Sequence, residues 1–331
     1  MSPGVVLERS PGRRRRRPGD QVFRSLTLAM GALVVLTLVG IAWFVLGAAL
    51  PGIRHYGFAS FLHERWAPSE ATSAGHHPNP YGVVQFIYGT LVTSAVAMVI
   101  AVPVAIGVAL FINEVAPPRL RRPLSATTDL LAAVPSVVYG FWALFALLPA
   151  LRPVAGFCDN TLALLPVVGV VFKGPFFGFS YLAASIVLAI MILPIITAIV
   201  REVFATVPLD HKEAALALGA TRWEMIRMAV LPYARNGIFG ASFLGLARAL
   251  GETIAVTMVI GNNVLGISAS VLKPGATLAS VIANEFTEAN QPFHLPALFV
   301  VALWLLLITL VVNVVGRLVM NRGQRVPGGN L

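Results

Sequence analysis

The chain has 331 residues, of which 57% are hydrophobic and 11% charged, with a formal net charge of +10. That balance excludes a pair of ordinary soluble domains and puts the chain among membrane proteins. Cys158 is the single cysteine, which excludes an intrachain disulfide and any multi-cysteine metal site.

Residues 1–24 are basic and rich in Gly and Pro, and are expected to form a disordered cytoplasmic tail. Leu26 to Leu50 then runs for twenty-five residues without a charge. Roughly 20 suffice to cross a hydrocarbon core about 30 Å thick, so this is a span. Arg13 to Arg17 ahead of it resemble a twin-arginine signal, but the run is too long for a signal-peptide core and is read as a retained helix. Residues 51–82 form an outside loop. Its histidines, His55, His63, His76 and His77, lack the cysteines or helical spacing of a metal site and are read as scattered polar residues.

Further apolar runs predict spans at about 83–112, 124–148, 181–200, 238–260 and 296–315. The result is an all-α integral membrane domain of six spans over 25–325, closed by a short tail at 326–331. In the third span Pro135 and Ser136, with Tyr139 a turn later, mark a candidate break that presents hydroxyls to a pathway. Residues 162–172 are too short to cross and carry Pro166; they are read as a re-entrant or surface segment. Glu114, Asp129 and Glu202 fall near span ends and are read as solvated interface charges.

An even number of spans puts both termini on one side. Of the 24 basic residues, 18 fall on that side, 5 on the other, and Arg248 inside a span. Basic residues accumulate in cytoplasmic loops, so both termini are expected in the cytoplasm. The charge is thereby assigned to topology and anionic lipid headgroups rather than to nucleic acid.

Between the fourth and fifth spans, residues 201–235 hold an amphipathic patch. Asp210 with Glu213 reads as an N-cap pair, and Thr221 with Glu224 as a capping box. Gly219 is placed to end the first helix and Pro232 the second. Ala214, Ala215 and Leu218 form one small apolar face, and Trp223, Ile226 and Val230 another. Such a helix pair suits a groove on another protein or a bed of lipid headgroups. In the fifth span, Arg248 costs roughly 2.5–3.5 kcal/mol to insert and must face a cavity or a partner. On a continuous helix Glu252 shares its face and would hold it when no anion is present, while a structural salt bridge is the other reading. Thr253 and Thr257 line the path or bond back to their own helix. No nucleotide-binding, nucleophile-elbow or zinc-protease motif occurs.

The segment with Glu213-Ala214-Ala215, Gly219 and Leu231-Pro232 resembles the EAA loop of ABC-type importer permeases, with Ala229 where that pattern has Ile. Leu130 to Phe145, Gly245 to Asn262, Tyr88 to Ser94 and Ala283 to Phe286 resemble phosphate-specific members of the PstC type. The resemblance implies a MetI-like fold, alternating access, and docking of ATPase subunits on Glu213, Ala214, Ala215 and Gly219. It also implies a homologous second permease, two ATP-binding subunits, an extracytoplasmic phosphate-binding protein and a bacterial cytoplasmic membrane. This chain would bind no cofactor, ATP being used by its partners. Arg248, Glu252, Thr253 and Ser136 are the pathway candidates. Competing readings are a permease for another oxyanion such as sulfate or molybdate, an intramembrane enzyme and a channel.

Overall fold

The computed structural model describes residues 18–72, 79–161, 163 and 169–323. Among them regular structure is helical, and β pairing is confined to two isolated bridges, Trp66 with Tyr81 and Gly261 with Gly275. The chain opens with α1 (Pro18–Tyr56), so the helix begins inside the tail expected to be disordered. Pro18 supplies a preset φ at the helix start and Asp20 complements the dipole in the first turn. The tail residues before Pro18 and after Gly323, and His76 and His77, lie outside the described residues.

Then come α2 (Val84–Leu110), α3 (Pro118–Ala132), α4 (Ser136–Trp142), α5 (Leu148–Thr161), the single turn α6 (Gly169–Phe172) and α7 (Tyr181–Ala205). The segment proposed as re-entrant lies largely outside the described residues. The chain continues with α8 (Leu209–Ala217), α9 (Arg222–Met225), α10 (Leu231–Gly251), α11 (Ile254–Ile260), α12 (Leu278–Glu285) and α13 (His294–Gly323).

Three wide π turns join pieces of these helices or end them: Phe111–Val115, Ala143–Leu147 and Ile226–Val230. Each precedes a proline by two residues, Pro117, Pro149 and Pro232 respectively. A proline ring collides with the carbonyl four residues back and offers no N–H to it. Widening the turn relieves that collision, which explains why Pro232 does not end its helix as expected: Leu231 N–H bonds Ile226 O and the helix runs on.

Among the described residues five helices are long and apolar enough to cross a membrane: Gly19–Tyr56, Val84–Val115, Ser136–Thr161, Tyr181–Ala205 and His294–Met320. Arg222–Gly251 and Ile254–Ile260, bent by 63°, make a sixth if taken as one broken span. The third span is therefore displaced from 124–148 to Ser136–Thr161. Pro135 disfavours helical conformation at Val134, and the Leu131 carbonyl, which has no N–H to accept from at Pro135, accepts from the Tyr139 hydroxyl at 2.8 Å and from Val134 N–H at 3.3 Å. The preceding α3 carries Arg119, Arg121 and Arg122 and is amphipathic rather than apolar.

The centre of the bundle is α7. Ala97, Ala101, Ala105 and Ala109 line one face of α2 at four-residue spacing, fully buried in the cluster that holds Leu188, Ile192 and Val200 of α7. Small residues let two helix backbones approach where lipid supplies no hydrophobic drive and packing contact decides. Likewise α10 meets α7 at Gly245, where an added Cβ would lie 2.6 Å from Ile196 Cδ1. Peripheral α1 packs on α13.

At the end of the bundle away from α8 and α9, the chain between α11 and α12 folds back against α2. Gly275 N–H bonds Ile260 O, and Leu278 N–H bonds Thr90 Oγ1 at 2.9 Å. A side chain at Gly89 would collide with the Ala276 carbonyl, so this approach requires glycine.

Candidate coupling elbow and translocation face

The helix pair α8–α9 is an elbow fixed by local chemistry. Ala220 N–H bonds Ala215 O at 3.2 Å and Gly219 N–H bonds Leu216 O at 3.0 Å, a Schellman closure with Gly219 at φ +85°. Thr221 Oγ1 accepts from Glu224 N–H, while Glu224 Oε2 accepts from Thr221 N–H at 2.7 Å, completing the expected capping box. The first expected cap is not made. Pro208 occupies the N-cap position and Asp210 lies inside the first turn, where its charge complements the dipole without capping.

Exposure on the elbow divides differently from the apolar faces read in the sequence. Ile226 and Val230 are buried in the bundle with Met225, whereas Leu218 is 91% exposed and Trp223 63% exposed. Glu213, Ala214 and Gly219 are also exposed, and Ala215 packs partly against the bundle. The outward surface is thus Leu209, Glu213, Ala214, Leu218, Gly219 and Trp223.

One ionic contact joins this elbow to the second span. Lys212 Nζ lies 2.6 Å from Glu114 Oε1, with the two side chains only 16% and 9% exposed. Glu114 is therefore not a solvated interface charge. It sits in the π turn Phe111–Val115 beside Asn113, whose amide donates to Arg201 O at 2.8 Å. Arg201 in turn approaches Asp129 of α3 at 3.4 Å and Glu202 at 3.3 Å. Asp129 and Glu202 remain more than half exposed. No spacing rule predicts a pair 98 residues apart; the only sequence signal is opposite charge at the same end of the bundle.

The fifth span breaks just past Arg248. The helix ends at Gly251, and Glu252 is extended at φ −70°, ψ 129°. The four-residue face shared by Arg248 and Glu252 is thereby lost, and no ion pair joins them among the described residues. Thr253 Oγ1 donates to Gly251 O at the break at 3.3 Å, and Thr257 Oγ1 donates to Thr253 O at 2.8 Å, alongside the helical bond from Thr257 N–H. Of the two readings for these threonines, back-bonding is the geometry observed.

The two broken spans meet each other. An added Cβ on Gly140 of α4 would lie 2.8 Å from Met258 Sδ and 3.0 Å from Ala255 Cα of α11. Ser136 starts α4 directly after the break, and Arg248, exposed, lies within electrostatic reach of the Tyr139 phenol. The sequence-predicted group is therefore brought to one region, but as two interrupted helices rather than as a pre-formed salt bridge.

Long apolar helices, one of them broken, with a capped helical elbow at one end are the architecture of a membrane transport subunit. Residues 101–323 match the family described as "Binding-protein-dependent transport system inner membrane component", and the chain belongs to that family. It is 43% identical over 322 residues to the protein of Xylella fastidiosa (strain 9a5c) named phosphate transport system permease protein PstC, covering 96% of each chain. The same name is carried by a Mesorhizobium japonicum protein 40% identical over 321 residues, with 97% of this chain and 95% of that one covered. In fold the chain is similar to a bacterial alginate ABC transporter solved with an alginate pentasaccharide-bound periplasmic protein: TM-score 0.59, 16% identity, 93% of this chain and 99% of that chain covered.

Proposed function

We propose that this chain is the membrane-spanning subunit of an ATP-driven importer of inorganic phosphate in a bacterial inner membrane. The identity to PstC proteins along nearly the whole chain supports phosphate over another oxyanion. The observation that carries the mechanism is one helix, Arg222–Gly251, which starts in the elbow and ends three residues past Arg248. A displacement of the elbow is delivered along that rod to the arginine.

In this reading the elbow and both termini face the cytoplasm, in keeping with the basic-residue excess. Two ATP-hydrolysing subunits dock on Glu213, Ala214, Ala215, Gly219 and the exposed Leu218 and Trp223. A second, homologous permease covers the open side, where Val138 and Phe141 of α4 and Ile254 of α11 are half exposed. ATP binding closes the nucleotide subunits, the elbows move, and the spans open outward to receive phosphate from an extracytoplasmic binding protein. Hydrolysis resets them.

Arg248 suits the cargo because its planar fork offers two parallel donors to anion oxygens. Among the described residues it has no carboxylate partner, so its charge is free to be balanced by phosphate. The hydroxyls of Ser136 and Thr253 and the carboxylate of Glu252, at the two helix breaks, are the remaining pathway candidates. The test is labelled phosphate uptake by the assembled complex, with and without excess sulfate. Wild type should take up phosphate in an ATP-dependent manner indifferent to sulfate, and Arg248→Gln should lose uptake while the complex still assembles. Full uptake by that variant would remove Arg248 from the path.

A further inference from the structure

At the end of the bundle opposite the elbow, a cleft of about 420 Å³ opens between α12, the start of α13 and the Trp66 segment. Its polar lining includes Asn262, Glu285, Glu288, Gln291 and His294, with the Trp66 indole as one wall. The hydrogen bonds across it leave buried polar atoms unpartnered. Trp66 Nε1 donates to Glu285 Oε2 at 2.8 Å, and His294 Nε2 meets the same oxygen at 2.8 Å. An indole N–H can only donate and a carboxylate oxygen accepts, so Nε2 carries the imidazole proton. The other ring nitrogen, Nδ1, makes no hydrogen bond.

Two further observations point to a ligand. His294 is 4% exposed and its Nδ1 has no hydrogen-bond partner; Asn262 Oδ1 is likewise buried and unpartnered. Asn262 is held in this position at φ +48°, its amide donating to Thr257 O at 2.9 Å. The His294 ring is fixed by stacking on Tyr81, with centroids 5.9 Å apart and planes 21° from parallel. Burial, with Tyr56 and Glu285 adding, pushes the Tyr81 phenol far above its usual range, so it stays a donor, to Pro292 O at 2.7 Å. Around this rigid floor stand carboxylates. Glu288 is exposed at the rim, and an adjoining cleft of about 370 Å³ that shares Trp66 and Val264 adds Glu64 and the Arg65–Glu70 pair.

We infer that this cleft is the docking pocket for a basic side chain, arginine or lysine, of the extracytoplasmic binding protein. The unpartnered Asn262 Oδ1 and the carboxylates call for a cation with several N–H donors, which guanidinium and ammonium groups supply. Free phosphate would be repelled, so the cleft is no part of the anion path. Among the described residues no group of three His, Cys, Asp or Glu side chains could hold a metal ion. The inference rests on the importer reading, which supplies the binding protein and places this end outside the cell.

The experiment uses the full complex in lipid nanodiscs and follows ATP hydrolysis against the concentration of phosphate-loaded binding protein. Glu288→Lys, at an exposed position, should raise the half-maximal concentration about tenfold or more, as reversing a contact charge does, with the maximal rate at saturation retained. Glu288→Gln should raise it less, and added salt should weaken the wild type more than this variant. An unchanged half-maximal concentration in Glu288→Lys overturns the proposal. So does loss of the second permease from the complex, which would assign the cleft to that contact. If loaded binding protein fails to stimulate the wild type at all, the importer reading itself fails.

Discussion

Both ends of the bundle join distant segments through a shielded carboxylate, but with different partners. At the elbow, Glu114 meets the ammonium of Lys212, two opposite charges that satisfy one another away from solvent. At the opposite end Glu285 accepts from two ring nitrogens, those of Trp66 and His294, and among the described residues makes no ion pair with Lys or Arg. The first arrangement is closed: it holds α8 to the end of the second span, and its two charges offset each other. The second is open, because His294 Nδ1 and Asn262 Oδ1 in the same cleft have no hydrogen-bond partner. A closed pair suits transmission of movement within the chain, and an open acceptor set suits recruitment of something from outside it.

The strongest way to break this contrast is Lys212→Met. It leaves Glu114 shielded and unpaired, a change that costs about 3–5 kcal/mol at fully buried pairs and less at this part-buried one. Phosphate taken up per ATP hydrolysed should fall at least several-fold, and the double variant Lys212→Glu with Glu114→Lys should recover part of it. Uptake per ATP equal to wild type in the single variant would show that the pair carries no movement.

Gly219→Val comes next. Forcing a β-branched residue to φ +85° costs about 1–3 kcal/mol, and nothing lies within 4 Å to collide with the new side chain, so the strain is confined to the turn. Hydrolysis should become partly uncoupled from transport while the protein inserts normally; parallel assays of ATP consumption and uptake would reveal it. Equal losses in both activities would instead indicate a general folding defect.

The smallest effect is expected from Trp66→Phe, which keeps the ring and removes one donor from Glu285. A single hydrogen bond to a charged group contributes about 1.5–3 kcal/mol. The melting temperature of the purified complex should drop by a few degrees while uptake per ATP is unchanged. A loss of coupling here as large as that of Lys212→Met would erase the distinction between the two ends.

Much of the elbow was legible beforehand because its determinants are local. Thr221 and Glu224 lie three residues apart and cap the same turn, and Gly219 adopts the left-handed conformation that its position required. The Asp210 cap failed for an equally local reason: Pro208 claimed the N-cap position and moved the helix start. The candidate site in the fifth span was legible in its members but not in its geometry. Arg248 and Glu252 were expected on one face because a continuous helix was assumed, and the break at Glu252–Thr253 removed that face.

The sequence by itself determined that the chain carries about six runs long and apolar enough to cross a membrane, where the elbow turns, and that an arginine lies within one of them. These follow from hydropathy, charge and capping, which act over a few residues to one helix length. Only the tertiary structure decided where the third and fifth spans are interrupted, that Lys212 meets Glu114, and that Trp66, Glu285 and His294 share one oxygen. Apolarity sets whether a segment enters lipid but not whether it stays straight. Pairings over tens to hundreds of residues depend on which helices pack together, and in lipid that choice is made by close fit between surfaces rather than by any local preference of the chain.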